Sequence, residues 1–307
     1  MKDVAKKDRT LSGKQKDLIF YILMMAFPVV QFSLFYIGVN GGSFLLAFQK
    51  IDITANTVTW TWDNITSVFK MMTQDASLLA TAKMSLLSYA LLLCIGTPLG
   101  MLFSYYIYKK MPLSGAFRVI LFLPSIISAI VMVTIFQFFV ERAVPEMVNV
   151  LFGKQILGLM ENTSSRYATI IFYNIWVGFG TSVLMYANSM SGINQEMVES
   201  AHLDGATGIR EFWHITLPMV YPTLTTFLIT GVAGIFTNQL NLYSFYGGDA
   251  PEKVQTYGYY LYTRTQGAAS RAEYPELAAM GLFLTIVAVP LTLLIKRLLE
   301  KFGPMED

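Results

Sequence analysis

Charged side chains are unevenly spread along the chain. Six windows contain no Asp, Glu, Lys or Arg: Leu18–Val39, Met84–Ile107, Val119–Val140, Tyr167–Met190, Met219–Tyr246 and Leu277–Ile295, each 19 to 28 residues long. At about 1.5 Å per helical residue, each reaches across a hydrocarbon core of about 30 Å. One such window would suit a buried helix of a soluble protein. Six together predict an all-α membrane protein with six transmembrane helices occupying these windows.

The polar stretches set the organisation: a basic arm over residues 1–17, a membrane domain over 18–299 and a short tail over 300–307. Between the first two windows lies a long segment, Asn40–Lys83. It holds TVTWTWDNITSVF (57–69), whose alternation fits either a short strand or an interfacial helix. Trp60 and Trp62 there suit interfacial anchors. Gly96, Pro98 and Gly100 allow a kink or close packing in the second window, and Pro124 lies inside the third. A short helix is expected around Pro145–Phe152. Residues 191–218 form a polar loop between the fourth and fifth windows.

Composition agrees with a membrane chain: 54% of residues are hydrophobic, 14% are charged and the mean hydropathy is +0.50. Thirteen of the 22 Lys and Arg fall at the N-terminal arm, two short loops and the tail, among them Lys109, Lys110, Arg118 and Arg210. This predicts a multi-pass protein of the cell membrane with both termini in the cytoplasm. The apolar run after the basic arm is too long for a cleaved signal, and no small-residue cleavage site follows it. A net charge of +2 gives no reason to expect nucleic acid, and the lone Cys94 excludes a disulfide framework.

Catalytic signatures are missing from the sequence. It has no G-x-x-x-x-G-K-[ST] phosphate loop, so ATP hydrolysis is not expected here, and no ionisable residue lies inside a window. His202 and His214 are twelve apart in the polar loop and read as hydrated or interfacial, not as metal ligands. No catalytic or metal residue is assigned.

The polar loop carries the sharpest pattern. Ser191 and Asn194 can cap a short amphipathic helix with Glu196 in its first turn. Gly205 breaks it, and Ile209, Phe212 and Trp213 begin a second apolar patch. Pro218 is placed to start the fifth span. The spacing Glu199-Ser200-Ala201, then Gly205, then Ile215, Leu217 and Pro218 resembles the E-A-A-x3-G-x9-I-x-L-P coupling loop of binding-protein-dependent ABC importers. Only Ser200 departs from it. Asp204-Gly205-Ala206 looks like the sugar-importer form, as do FRVILFLPSIIS (117–128), NIWVGFG (174–180) and FYGGDAP (245–251). The chain is thus similar to maltose-type carbohydrate permease subunits, with the extra N-terminal helix of one of the two. One departure is Lys83-Met84, where the family has an Asn-Thr pair. Lys83 then either snorkels to the interface or approaches substrate or receptor.

The resemblance implies a type I ABC importer permease fold with a cytoplasmic coupling helix. It implies a second permease subunit of different sequence, two ATPase subunits that hold ATP and Mg, and an extracellular or periplasmic solute-binding protein. No cofactor is expected on this chain. ATPase coupling would fall to Glu199, Ser200, Ala201, Asp204, Gly205, Ala206, Ile215, Leu217 and Pro218.

A sugar site at membrane depth needs amides, hydroxyls and flat aromatic faces without charge. The candidates are Asn174 and Trp176, with Gly178 allowing close approach, then Asn238, Gln239, Asn241 and Tyr243, and more weakly Ser125 and Ser128. Each polar group could instead serve helix–helix hydrogen bonding. On a continuous helix Asn238 and Asn241 share a face that Gln239 leaves, so all three reach one pocket only if the helix is unwound. A charged or other polar solute is the alternative cargo, which Arg264 or Arg271 at the cavity mouth would support. A secondary carrier is the alternative class, and the coupling pattern weighs against it.

Overall fold

The computed structural model describes Ser12–Pro304. Lys2, Lys6, Lys7 and Arg9 of the basic arm, and residues 305–307, lie outside the described residues. The chain divides into two compact units, one running to Thr66 with Ser270–Leu282, the other Ser67–Ala269 with the chain from Phe283 onward.

In the first unit, α1 (Gly13–Leu46) is 34 residues long. Ser12 and Gln15 close a reciprocal cap at its start: Gln15 Oε1 accepts from Ser12 N at 2.9 Å and Ser12 Oγ from Gln15 N at 3.4 Å. Pro28 interrupts the hydrogen-bond ladder, and the helix widens to a π turn over Phe32–Gly38. None of its most apolar stretch is buried within the chain, a surface suited to lipid and not to water. A hairpin follows, β1 (Gln49–Asp52) antiparallel to β2 (Thr57–Trp60), with Gln49 opposite Trp60 and Asp52 opposite Thr57. Its turn is held by Asp52 Oδ1, which accepts from the N–H of Thr54 and of Ala55 at 2.9 and 3.0 Å. Residues 57–69 therefore adopt both expected forms in succession, a strand and then the start of α2 (Asp63–Gln74). Trp60 and Trp62 stay exposed, as anchors require, and Trp62 meets Phe48 edge-on at 4.9 Å.

The second unit begins its membrane helices with α3 (Ala76–Tyr108), capped by Asp75, whose side chain accepts from Ser77 N. The helix starts before the second window, so Lys83 lies on an exposed flank within it and does not open it. The third window is not one straight crossing. α4 (Ser114–Ile126) and α5 (Ala129–Phe152) meet at 106°, with Ile127 and Ser128 extended just after Pro124. The expected helix near Pro145 is the last part of α5.

α6 (Thr163–Ser191) forms the centre of the packing. Ser104 Oγ of α3 donates to Val183 O at 3.0 Å. Against α4 the contact is backbone to backbone: a Cβ at Gly180 would lie 2.0 Å from Leu121 O. At Gly178, named with the cargo-site residues, a Cβ would meet nothing within 4 Å, so the helix contact belongs to Gly180 and the space beside Gly178 is open.

The polar loop forms α7 (Gln195–Leu203) and α8 (Ile209–Met219). α8 is bent by 67° from α9 (Tyr221–Ala233). Pro218 therefore sits in the last turn of α8, and Pro222 stands in the first turn of the helix beyond the bend. The fifth window holds only this 13-residue helix before it unwinds. α10 (Leu242–Tyr246), α11 (Tyr257–Gln266) and α12 (Tyr274–Phe302) complete the chain. Tyr221 Oη donates to Leu299 O at 2.8 Å, tying α9 to the end of α12.

Candidate cargo cavity and coupling loop

The fifth span opens at Gly234, and residues 234–241 carry no helix. Leu240 and Asn241 are left-handed, with φ of 51° and 56°. Backbone released at membrane depth has no water to bond, so side chains must take the place of the helical ladder. Asn174 supplies part of this. Its Nδ2 donates to Ile170 O at 2.9 Å and to Leu240 O at 3.0 Å, and its Oδ1 accepts from Asn241 Nδ2 at 2.9 Å. Asn238 Oδ1 accepts from Leu240 N at 2.8 Å, and Asn238 O accepts from Thr256 Oγ1 at 2.8 Å. Gly258 lets α11 press on this segment: a Cβ there would be 2.6 Å from the Thr237 carbonyl.

Beside the break is a cavity of about 460 Å³. Ser85, Ser88, Tyr89, Thr97, Ser182, Thr230 and Asn238 supply its polar lining, with Leu92, Leu93 and Phe227 among its apolar walls. Every polar lining group is uncharged. A smaller cavity of about 150 Å³ shares Leu92, Thr97, Ser182 and Tyr186 with it and adds Asn174 and Gly178.

The expected cargo residues thus separate. Asn238 lines the large cavity, and Asn174 and Gly178 line the small one. Unwinding removes the face argument for Asn238, Gln239 and Asn241, yet Gln239 and Asn241 line neither cavity. Asn241 is committed to Asn174. Trp176 packs against Phe136 in the apolar core at 6.0 Å between rings, and Tyr243 meets Tyr262 edge-on at 4.9 Å. Ser125 Oγ donates to Phe122 O of its own helix at 2.7 Å, the helix-bonding alternative, and Ser128 is exposed at the start of α5. The hydroxyls of α3 at Ser85, Ser88 and Thr97 were not singled out by sequence. Their alternation with Leu residues is a weak signal, and only a neighbouring break makes them a lining.

In the polar loop, Asn194 caps α7 by accepting from Glu196 N at 3.0 Å. Gly205, at φ +82°, ends it in a Schellman turn: Ala206 N donates to Ala201 O at 2.9 Å and Gly205 N to His202 O at 3.0 Å. Val198 and Ala201 face inward, at 1% and 8% exposure. Glu199, Ser200, Asp204 and Gly205 are exposed, Ala206 is half-buried, and Leu203 is 90% exposed. Ile215, Leu217 and Pro218 are half-buried in α8, with Leu217 packed beside Met190, Phe212 and Val220. The motif therefore has an outward set on α7 and an inward set on α8.

Under this surface lies a group that the motif did not reveal. Glu211 has 1% of its side chain exposed. Lys109 Nζ lies 2.6 Å from its Oε1 and His202 Nε2 lies 2.8 Å from its Oε2. Tyr105 Oη donates to Gly208 O at 2.9 Å, next to this cluster. Burial pushes the Glu211 carboxyl up, but the hydrogen bonds from His202 and Lys109 and the lysine charge outweigh it, and the group is held below its ordinary value. His202 thus stays 42% exposed, as an interfacial histidine would, while its Nε2 is hydrogen-bonded to Glu211. His214 Nδ1 stays near its own helix, 2.9 Å from Arg210 O. In the sequence Glu211 follows Arg210 in the run IREFW, so no local signal marks it for burial.

Residues 96–305 match the family described as binding-protein-dependent transport system inner membrane component. The chain belongs to this family. It is 23% identical over 289 residues to the polygalacturonan/rhamnogalacturonan transport system permease protein YteP of Bacillus subtilis (strain 168), covering 92% of this chain and 88% of that protein. It is 27% identical over 189 residues to the maltose/maltodextrin transport system permease protein MalF of Escherichia coli (strain K12), covering 59% of this chain and 36% of that protein. Its fold matches a chain of a bacterial ABC transporter involved in the import of the acidic polysaccharide alginate, with a TM-score of 0.78 at 21% identity, over 94% of this chain and 98% of that one. The architecture is therefore that of a multi-pass ABC permease, mostly helical, with one short β-hairpin in place of the all-α chain expected.

Proposed function

We propose that this permease carries a sugar or oligosaccharide inward as one membrane subunit of an ATP-driven importer. An extracellular or periplasmic binding protein delivers the cargo. A second permease subunit completes the pathway, and two ATPase subunits bind ATP and Mg on the cytoplasmic side, where both termini of this chain lie. α7 docks in a cleft on one ATPase through its outward set, and nucleotide-driven closure rocks the spans between two states. The observation that carries the cargo reading is the uncharged, hydroxyl-lined cavity beside the unwound fifth span. Hydroxyls that donate to main-chain carbonyls keep lone pairs for sugar hydroxyls. YteP and the maltose permeases are named for carbohydrate transport, which supports the same reading.

The test is Thr97→Val combined with Thr230→Val, assayed by uptake of a panel of labelled oligosaccharides. Uptake falls at least tenfold while assembly with the copurifying subunits is unchanged. Normal uptake would move the cargo site elsewhere. An acidic oligosaccharide is the second reading, favoured by the names of YteP and of the alginate transporter. Arg264 and Arg271 are exposed and line neither cavity, so in that case the second permease would supply the cations.

A further inference from the structure

Glu211 is a carboxylate almost wholly removed from solvent beside an otherwise apolar cluster of Met190, Phe212 and Val220. Burying an ion pair is rarely the most stabilising choice, since well-packed apolar side chains of similar volume do as well or better. What a buried pair supplies is a defined register between the elements that carry its members. Here those elements are distant in sequence. Lys109 follows the last turn of α3, His202 lies in the last turn of α7, and Glu211 lies in the first turn of α8.

The rest of the α7 seat is slight. Only the small side chains Val198 and Ala201 are buried from that helix, and its outer flank is open at Glu199, Ser200 and Leu203. A second tie runs to the same end of α3, where Tyr105 Oη holds the Gly208 carbonyl. Gly208, with φ 58° and ψ −120°, takes a backbone shape that disfavours side-chain-bearing residues. The loop between α7 and α8 is thus pinned twice to one helix end, by a carboxylate and by a carbonyl.

We infer that Glu211 is a positioning residue that locks α7 and α8 to the inner end of α3, so that these three elements move as one body when α7 is loaded by a partner. This rests on the reading of α7 as the ATPase-docking helix. Lys110, Arg210 and His214 make no ion pair with Glu211, so the lock consists of Lys109 and His202.

The test uses the full chain in lipid nanodiscs, with the subunits that copurify with it and with Cys94→Ala as background. Spin labels at Met197→Cys and Met111→Cys, both exposed, report the distance from α7 to the loop after α3. The parent gives one narrow distance distribution, unchanged when a non-hydrolysable ATP analogue is added. Glu211→Gln and Lys109→Met widen it at least twofold and make it respond to the analogue. Lys109→Arg, which keeps the charge, retains the narrow distribution. If Glu211→Gln fails to assemble, His202→Asn at the more exposed side of the cluster gives the same broadening in smaller degree. Equal, narrow distributions in the parent, Lys109→Met and His202→Asn would overturn the lock. Failure of any ATPase to copurify would instead overturn the importer reading, and the width in nucleotide-free samples would still decide the lock.

Discussion

Two breaks between helical segments of the second unit are stabilised by different chemistry. At 234–241 the released backbone is tied by neutral amides, chiefly Asn174 and Asn238. Between α7 and α8 the chain is tied by the Glu211 carboxylate, paired with Lys109 and hydrogen-bonded to His202. A charge at membrane depth carries a large desolvation cost, whereas amides satisfy carbonyls there at lower cost. Near the polar loop, water and a lysine stem that reaches it make the carboxylate tolerable. The first tie lies beside a cavity, and the second holds α7 and α8 to the end of α3.

Asn174→Leu should have the largest effect. It leaves the Leu240 carbonyl and the Asn241 amide without partners, at about 1–3 kcal/mol for each buried group. Thermal unfolding in detergent should show a strong loss, and near-parent stability would mean that the break does not depend on this amide. Lys109→Met should follow, at about 3 kcal/mol, because it strands a buried carboxylate. Glu211→Leu added to it should recover most of that stability without restoring the fixed distance between α7 and α3.

Gly180→Ala should cost about 2 kcal/mol by forcing α4 and α6 apart, while Gly178→Ala should be close to neutral. Equal effects at the two glycines would contradict the observed helix contact. Gly205→Ala, strained at φ +82°, should cost about 1 kcal/mol. Gly205→Arg should in addition block ATPase docking, read by pull-down of the partner subunits.

The smallest effect is on pH dependence. The Glu211 carboxyl is depressed in the folded chain, so its contribution is fully present above the ordinary value of 4.5 and is lost as pH falls below it through the folded value. The acid limb of the unfolding curve should therefore flatten in Glu211→Gln. An identical limb in both proteins would show that the lock contributes nothing to acid stability.

Much of this organisation was legible in the residues. The charge-free windows mark the membrane segments because apolar length is a property of the chain itself. Asn194, Gly205 and the spacing to Pro218 mark the polar loop because caps and breaks are local chemistry. The bends were not legible. Pro124 and Pro222 permit a turn, but the 106° and 67° angles depend on what each helix packs against. The unwinding after Gly234 was expected only as a condition for three amides to meet, and it turned out to serve two of them differently.

What the sequence determined by itself was the class of molecule: an apolar helical chain with one polar loop of defined local pattern. Only the tertiary structure decided which glycine is a contact and which amide is spent on backbone. It alone showed that Glu211, Lys109 and His202 form one cluster. Those outcomes depend on pairs brought together from distant parts of the chain, and a one-dimensional pattern records a residue's type and spacing but not its partner across a helix interface.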